Sequence, residues 1–403
     1  MKNKLMIILS MIFFSLNTSA ISFKEVVDSF GSHEGVEFIT RKAYSIKKDS
    51  QAKGSWGDPI FKVAAKNYPK NSLKNDVSPM TGIEFGVSQK ISLTTKYGNI
   101  KKHLSSISKS IHLKAKDKKE ILTKSLWEVV ITRKKVQEEV SILKENLNWI
   151  IKILKVSKRL YANGKNSQQA VLDIQIRRSE IESSLSNKHY EILQLDDKLL
   201  YLIRNKKTRL NYNTIPWGIL TSKKSQKKDY RELSLKEIVR AKKFNLTASR
   251  LNYIPDLTVG LAYTKRSNIN NEGDFVSAVI SFPLPFSGKK YGLYGKAAEE
   301  KYSATKEFKH YRRRKKRNSS ILFKEIKKLQ GEILIITNKT IKYAHNSRTI
   351  TSKSYGLGNS TYVELLQSEL NLQKFLLKKS MLVAKRDIKK ITLKYILGEA
   401  LYE

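Results

Sequence analysis

Apolar side chains recur along two stretches of this chain in alternating steps of four and three. The first stripe is Leu122, Leu126, Val129, Val136, Val140, Leu143, Leu147, Ile150 and Leu154, interrupted only by Arg133. The second runs Leu322, Ile326, Leu329, Ile333, Ile336, Thr340, Tyr343, Ser347 and Ile350. That rhythm is the seam of a long, coiled-coil-like helix. No Pro falls between Met80 and Ile215 or after Pro285, so neither stretch contains a helix breaker. About 60 helical residues at 1.5 Å each span on the order of 90 Å, more than one globular core requires. Each stretch stops at a Gly-bearing turn, Tyr161-Ala162-Asn163-Gly164 and Tyr355-Gly356-Leu357-Gly358. Superposed at an offset of 194 residues, Ser167 falls on Thr361, Val171-Leu172 on Leu365-Leu366, Leu199 on Leu393 and Ile203 on Leu397. Gly and Asn tolerate positive φ at a helix C-terminus, and Ser and Thr suit the N-cap of the next helix. Two antiparallel helical hairpins follow, about 99–206 with tip 161–167 and about 289–398 with tip 355–361.

Ahead of each hairpin the period changes to two. Ile83, Phe85, Val87, Ile91 and Leu93 alternate with polar or small residues, as do Leu257, Val259, Leu261 and Tyr263, and Val276, Ala278, Ile280 and Phe282. A weaker alternation runs through Phe61, Val63 and Ala65. These predict strands at about 59–67, 82–93, 256–265 and 274–285, joined in pairs by Asn-, Lys- and Gly-rich loops. Further upstream, Ser22-Phe23-Lys24-Glu25-Val26-Val27 is echoed by Ser234-Leu235-Lys236-Glu237-Ile238-Val239. Each half therefore reads short helix, strand, loop, strand, long helix, tip, shorter helix. An internal duplication accounts for this, with one repeat at 21–206, a connecting segment at 207–255 and a second repeat at 256–403.

The first 20 residues read as a secretory signal peptide. Lys2 and Lys4 precede a short apolar run, Leu5 to Leu16, and Thr18-Ser19-Ala20 offers a cleavage site. The run is too short to span a bilayer as a helix, and no other approaches that length. With no Cys among 403 residues, disulfides, thiol catalysis and thiolate metal sites are excluded. The chain holds no Gly-Lys-Ser/Thr nucleotide loop, no convincing carboxylate pair and no His/Asp/Glu cluster at ligand spacing. His103 and His112, the nearest to a pair, share no helix face with a third ligand. Neither an enzyme nor a cofactor or metal is expected.

Four short strands cannot close a barrel, because bacterial single-chain barrels start at eight. In a bilayer an open sheet edge leaves backbone groups unpaired, so the barrel must be shared between chains. Two chains would bring eight strands and three chains twelve. At this point the residues resemble a known family, the TolC-type outer membrane efflux proteins. The resemblance rests on Asp58-Pro59, on Gly86-Val87-Ser88-Gln89-Lys90-Ile91-Ser92-Leu93, on Tyr253-Ile254-Pro255-Asp256-Leu257-Thr258-Val259-Gly260, on Ser281-Phe282-Pro283-Leu284-Pro285-Phe286, and on the two tips. It covers nearly all of the chain after the leader. The Gly-Val-Ser-Gln strand looks more like the metal- and cation-efflux branch than the type I secretion branch.

The resemblance implies a mainly α chain with a small β part. It implies a homotrimer with a twelve-stranded barrel in outer membrane lipid and a periplasmic α-helical barrel built from the hairpins. Segment 207–255 would be equatorial, with Trp217 and Tyr230 packing there. The chain would be a passive duct, joined to a periplasmic adaptor (membrane fusion) protein and an inner membrane transporter. Adaptor contacts fall on Tyr161, Gly164, Ser167, Tyr355, Gly358 and Thr361. A pore constriction falls on Glu364, Gln367 and Asp173, where threefold symmetry would turn each carboxylate into a ring. Gln367 departs from the family's acidic pattern, and Ser360 stands where the family often has an Arg latch. Which substrate passes is not written in the chain.

Net charge is +42, and Arg312-Arg313-Arg314-Lys315-Lys316-Arg317 is the densest basic run. In an intracellular chain it would suggest nucleic acid. Export argues against that, and leaves anionic cell-wall polymer, anionic cargo or a solvated helix face. The rival to the duct is a periplasmic coiled-coil scaffold that binds cell wall.

Overall fold

A computed structural model describes residues 20–204, 208–222, 228–269, 271, 273–284 and 288–402. The leader at 1–19 lies outside them, as do Pro285 and Phe286. The chain is mainly helical with a small sheet part. In order, its elements are β1 (Ala20–Ile21), α1 (Phe23–Ser29), α2 (Glu34–Lys53), β2 (Ile60–Lys66), β3 (Gly82–Ile91), α3 (Lys96–Ala162) and α4 (Gln168–Ile203). There follow β4 (Arg209–Leu210), α5 (Tyr230–Leu251), β5 (Leu257–Arg266), β6 (Phe275–Ser281), α6 (Gly288–Ile335), a π-helical turn at Ile336–Thr340, α7 (Ile341–Leu357) and α8 (Tyr362–Leu397). Two strands, a long helix, a tip and a 36-residue return helix thus occur twice. No described helix is long and apolar enough to cross a membrane. The chain divides into two compact units, each drawing on both halves of the sequence.

One unit comprises Glu34–Lys118 and Asp229–Arg317. Its centre is an antiparallel sheet in the order β2-β3-β5-β6, with β2 and β6 as open edges. The register aligns Phe61 with Val87, Val63 with Phe85, Phe85 with Tyr263, Val87 with Leu261, and Tyr263 with Val276. Side chains alternate across a pleated sheet, so these apolar residues share one face. That face is exposed: Phe61, Val63, Phe85, Val87, Leu261, Tyr263 and Val276 all stand open, Val276 at 73%. The other face is mostly polar or small, with Ile60, Phe275 and Val279 only on the two edge strands. It carries Lys62, Lys66, Glu84, Gly86, Ser88, Gly260 and Thr264, with Glu84 5% and Thr264 1% exposed. Glu84 accepts from Lys66 and pairs with Lys62 at 3.4 Å. A sheet folded for water buries its apolar side, and this one does the reverse.

Below the sheet, Asp256 ties β5 to the start of α3. Its carboxylate is 2.6 Å from the Lys96 ammonium and 3.2 Å from Lys90. The echo between 22–27 and 234–239 does not extend to structure. Ser22 is an N-cap in a full capping box with Glu25. Ser234 lies inside α5, because Asp229 already caps that helix through the Glu232 amide, and its hydroxyl meets Ser110 at 2.8 Å. Tyr230, in this unit, lies under the Lys116 ammonium.

The second unit comprises the described residues within 1–33, 119–228 and 318–403. Trp127 is fully buried against Phe23 (4.8 Å between centroids) and Trp217 (5.8 Å). Its indole donates to the Leu401 carbonyl at 2.7 Å. Trp217 is therefore a packing residue. Arg133, the break in the first stripe, bonds Asp196 at 2.9 Å and stacks over Tyr212. Burial pushes that Tyr212 hydroxyl up to about 12.

The second stripe does not continue as its spacing predicts. The π turn takes in one extra residue, and the buried positions beyond it shift by one. Ala344, Arg348 and Tyr355 face inward, while Tyr343 and Ile350 are 70% and 67% exposed.

Candidate functional site: the paired hairpin tips

Both tips are built by the same local chemistry. At the first, the Lys165 amide donates to the Leu160 carbonyl and the Gly164 amide to Tyr161. At the second, Asn359 donates to Ser354 and Gly358 to Tyr355. These paired bonds are the Schellman closure, which puts one residue in the left-handed region. Gly164 and Gly358 fill it, at φ +70° and +82°. Ser167 then caps α4 through the Ala170 amide (3.2 Å), and Thr361 caps α8 through the Glu364 amide (3.3 Å).

The two tips are joined. Asn166 donates to the Tyr355 hydroxyl at 2.7 Å and to Ser157 at 2.9 Å. The Tyr362 hydroxyl bonds Asp173, which also accepts from Gln169 at 2.8 Å. Above them, one apolar core takes Leu143, Ile150, Ile153 and Leu154 from α3, Ile174 and Ile181 from α4, Tyr355 from α7 and Leu365 from α8. Higher still, Arg177 on α4 meets Glu369 on α8 at 3.0 Å, with Gln373 beside it. Glu369 is wholly buried. Burial acts to lower the Arg177 pKa, but Glu369 outweighs it and holds the guanidinium charged. Between the tips lies a cleft of about 780 Å³ lined by Asn166, Ser167, Tyr355, Ser360, Thr361 and Glu364.

The six contact residues therefore separate. Tyr161 is exposed, and Gly164, Ser167, Gly358 and Thr361 shape the turns. Tyr355, 2% exposed, packs in the core beside the tips, past the π turn, and lines the cleft between them. Exposed Leu357 and Val363 are apolar tip residues: Leu357 continues the seven-residue step of Tyr343 and Ile350 beyond the end of the second stripe, and Val363 stands outside both stripes. Glu369 and Arg177 also escape a reading by spacing. Glu369 lies between Leu365 and Leu372 on the buried side of α8, a charge inside an apolar run like Arg133, and that is the signal the sequence offers.

The three constriction candidates differ in their commitments. Glu364 reaches back to the Thr361 amide at 3.0 Å and accepts from Ser360 at 2.6 Å, completing a capping box. The Ser360 hydroxyl, then the Thr361 amide, hold its carboxyl below the ordinary value. Asp173 is half-buried and bound to Tyr362 and Gln169. Gln367 is exposed and donates to Asn371 at 3.2 Å. Among the described residues no group of three or more His, Asp or Glu is placed to hold a metal ion.

No protein-family model matches the sequence, and no curated protein matches it. Solved structures do. The outer membrane protein VceC of Vibrio cholerae superposes with a TM-score of 0.77 at 12% identity, over 94% of this chain and 96% of that one. The Campylobacter jejuni CmeC outer membrane channel gives 0.72 at 13% identity, over 94% and 87%. The Neisseria gonorrhoeae MtrE outer membrane channel, in its open state, gives 0.67 at 10%, over 94% and 89%. The four-stranded sheet, the two hairpins and these superpositions along almost the whole chain show that it has the fold of the TolC-type outer membrane channels.

Proposed function

We propose that this chain is one third of an outer membrane efflux duct, a passive conduit without enzymatic activity. The observation that carries the reading is the inverted sheet. Burying an exposed Val, Leu or Phe is worth about 1.5–3 kcal/mol. A face holding Phe61, Val63, Phe85, Val87, Leu261 and Val276 in the open is stable only against another apolar phase. Its edges β2 and β6 each carry an unpaired row of backbone groups. Three copies joined edge to edge close twelve strands, with the apolar face on lipid and the Lys62, Glu84 and Ser88 face on water.

The hairpins support the same assembly. On α4, Leu172, Ile176, Ser183, Tyr190 and Leu193 follow a heptad and are exposed. On α7, Tyr343, Ile350 and Leu357 recur every seven residues and are exposed. Such seams call for helices of neighbouring copies. The repeated element order reflects an internal duplication, and the repeats are 21–206 and 256–403. The tips, with Tyr161, Leu357 and Val363 outward, meet a periplasmic adaptor, and an inner membrane transporter supplies the energy. Glu364 remains at the surface after capping its helix, so three copies place a ring of three carboxylates at the constriction. Asp173 and Gln367 flank it.

Single-channel recording of purified protein in planar bilayers tests the duct. Discrete conductance is expected, with cation preference reduced in Glu364→Gln. A protein that never inserts removes the duct and favours the periplasmic scaffold. Unchanged selectivity in Glu364→Gln removes only the ring.

A further inference from the structure

The two tips share their turn chemistry but not their charge. At the first, Lys152, Lys155, Lys158, Arg159 and Lys165 are all exposed. At 100° per residue the four on α3 fall within an arc of roughly 120°. That arc is turned away from the side carrying Ile150, Ile153 and Leu154. Among the described residues, none of the five has a side-chain hydrogen bond, ion pair or ring contact. No Asp or Glu lies between Glu145 and Asp173. Of these two, Glu145 pairs with Arg348 at 3.4 Å, and Asp173 is taken by Tyr362 and Gln169. At the offset of 194 residues the five cations fall on Asn346, Thr349, Ser352, Lys353 and Asn359. The second tip thus closes with the same paired bonds, glycine and hydroxyl cap without four of the five charges. A cation near a helix C-terminus answers the helix dipole, and Arg159, like Lys353, meets that need. The other four exceed what the turn requires. Like charges three and four residues apart on a helix repel, as Lys155 does with Lys152, Lys158 and Arg159.

Placement along the helix selects the kind of anion. Helix α3 ends at Ala162. At 1.5 Å per residue, Lys155 and Lys152 stand about 10 and 15 Å back from that end. The Debye length at physiological salt is about 8 Å, so a flat anionic bilayer touching the tip would not feel them. A partner lying alongside the hairpin would. Lys152 and Arg159 are seven residues apart, the step at which coiled coils place the flanking charges that choose a partner. Lys165 carries the charge on into the cleft between the tips. We propose that the first tip docks an acidic helical hairpin of the periplasmic adaptor, with Lys152, Lys155, Lys158, Arg159 and Lys165 selecting it by charge. The second tip, with Leu357 and Val363 exposed and Lys353 its one matching cation, contributes apolar contact instead. The proposal rests on the reading of the tips as the adaptor-docking surface and names the chemistry of the partner.

The test measures binding of the full-length protein in detergent to two synthetic antiparallel coiled-coil hairpins. They are identical except that the charges flanking the seam are Glu in one and Lys in the other. Wild type binds the Glu hairpin, more weakly as salt rises, and binds the Lys hairpin poorly. Replacing Lys152, Lys155, Lys158, Arg159 and Lys165 with Gln lowers affinity for the Glu hairpin about tenfold or more, the scale that losing five exposed ion pairs allows. A matched variant with Lys42, Lys47, Lys48, Lys109 and Lys114 replaced by Gln carries the same charge change on other exposed positions and binds like wild type. Equal loss in both variants overturns the proposal, since overall charge would then be responsible. Unchanged binding by the tip variant overturns it too. So does tip-dependent binding of phosphatidylglycerol vesicles with no binding of the Glu hairpin, which would reassign the face to a membrane. Circular dichroism confirms the folding of each variant. If both hairpins bind equally and only Leu357→Ser with Val363→Ser abolishes it, charge selection fails while the docking reading stands. If neither hairpin binds, both fall.

Discussion

At the scale of single residues, the tips depend on two glycines and two hydroxyls. Gly358→Ala keeps every hydrogen bond, yet places a Cβ in a left-handed conformation, and about 1 kcal/mol of stability should be lost. Tyr355→Phe removes the acceptor of the Asn166 amide and should cost about 1 kcal/mol. Denaturant melts of the purified protein in detergent check both. Glu364 brings a pH dependence. Its folded-state pKa is depressed by Ser360 and Thr361, so its capping contribution is complete above the unfolded carboxyl value of about 4.3 and is lost as pH falls through the lower folded value. Spin labels on the two tips should therefore report looser tips only in that acid window. In Glu364→Gln the loosening should be present at neutral pH and unresponsive to acid.

At the scale of elements, the π turn decides which face of α7 is buried. Ile333 and Ile336 set one register, and Ala344, Arg348 and Tyr355 the next, one residue out of step. Deleting exposed Asn338 should convert the turn to regular α-helix while keeping Tyr355 in the core, so the thermal midpoint should hold or rise. Deleting equally exposed Asn346 should rotate Tyr355 out and lower the midpoint by many degrees. The Arg177–Glu369 bond between α4 and α8 is the other pin. Glu369→Ala leaves the half-buried Arg177 guanidinium with only Glu180 and Gln373, a loss of about 1.5–3 kcal/mol. Replacing both partners with apolar residues should restore most of it, as a double-mutant cycle would show.

At the scale of the whole molecule, the sheet is the element whose two faces test the membrane reading. Phe85→Arg puts a charge on the apolar face, where lipid would raise the cost to about 2–4 kcal/mol near the midplane. Ser88→Arg changes the polar face at the same strand and should assemble normally. Native gels after refolding into liposomes distinguish them, by whether a heat-resistant oligomer forms. Equal tolerance of both substitutions would mean the exposed face meets something other than lipid.

Periodicity and breaker placement alone determined the mainly helical fold class, the alternating segments and the Gly-bearing tips, because backbone geometry forces apolar residues to recur at 3.6 or at 2. The motif resemblance, carried by those same stretches, led to the channel fold. What only the tertiary structure decided was which apolar side faces in. Alternation of Phe85 with Glu84 is the same string whether the apolar residues point to a core or to lipid. The step from Ile336 to Ala344 reads as a break in pattern until a π turn absorbs the extra residue. Likewise Asn166 reaches Tyr355, and Arg177 reaches Glu369, across about 190 residues of chain. Pairings that distant depend on how four helices pack side by side, which no local spacing encodes.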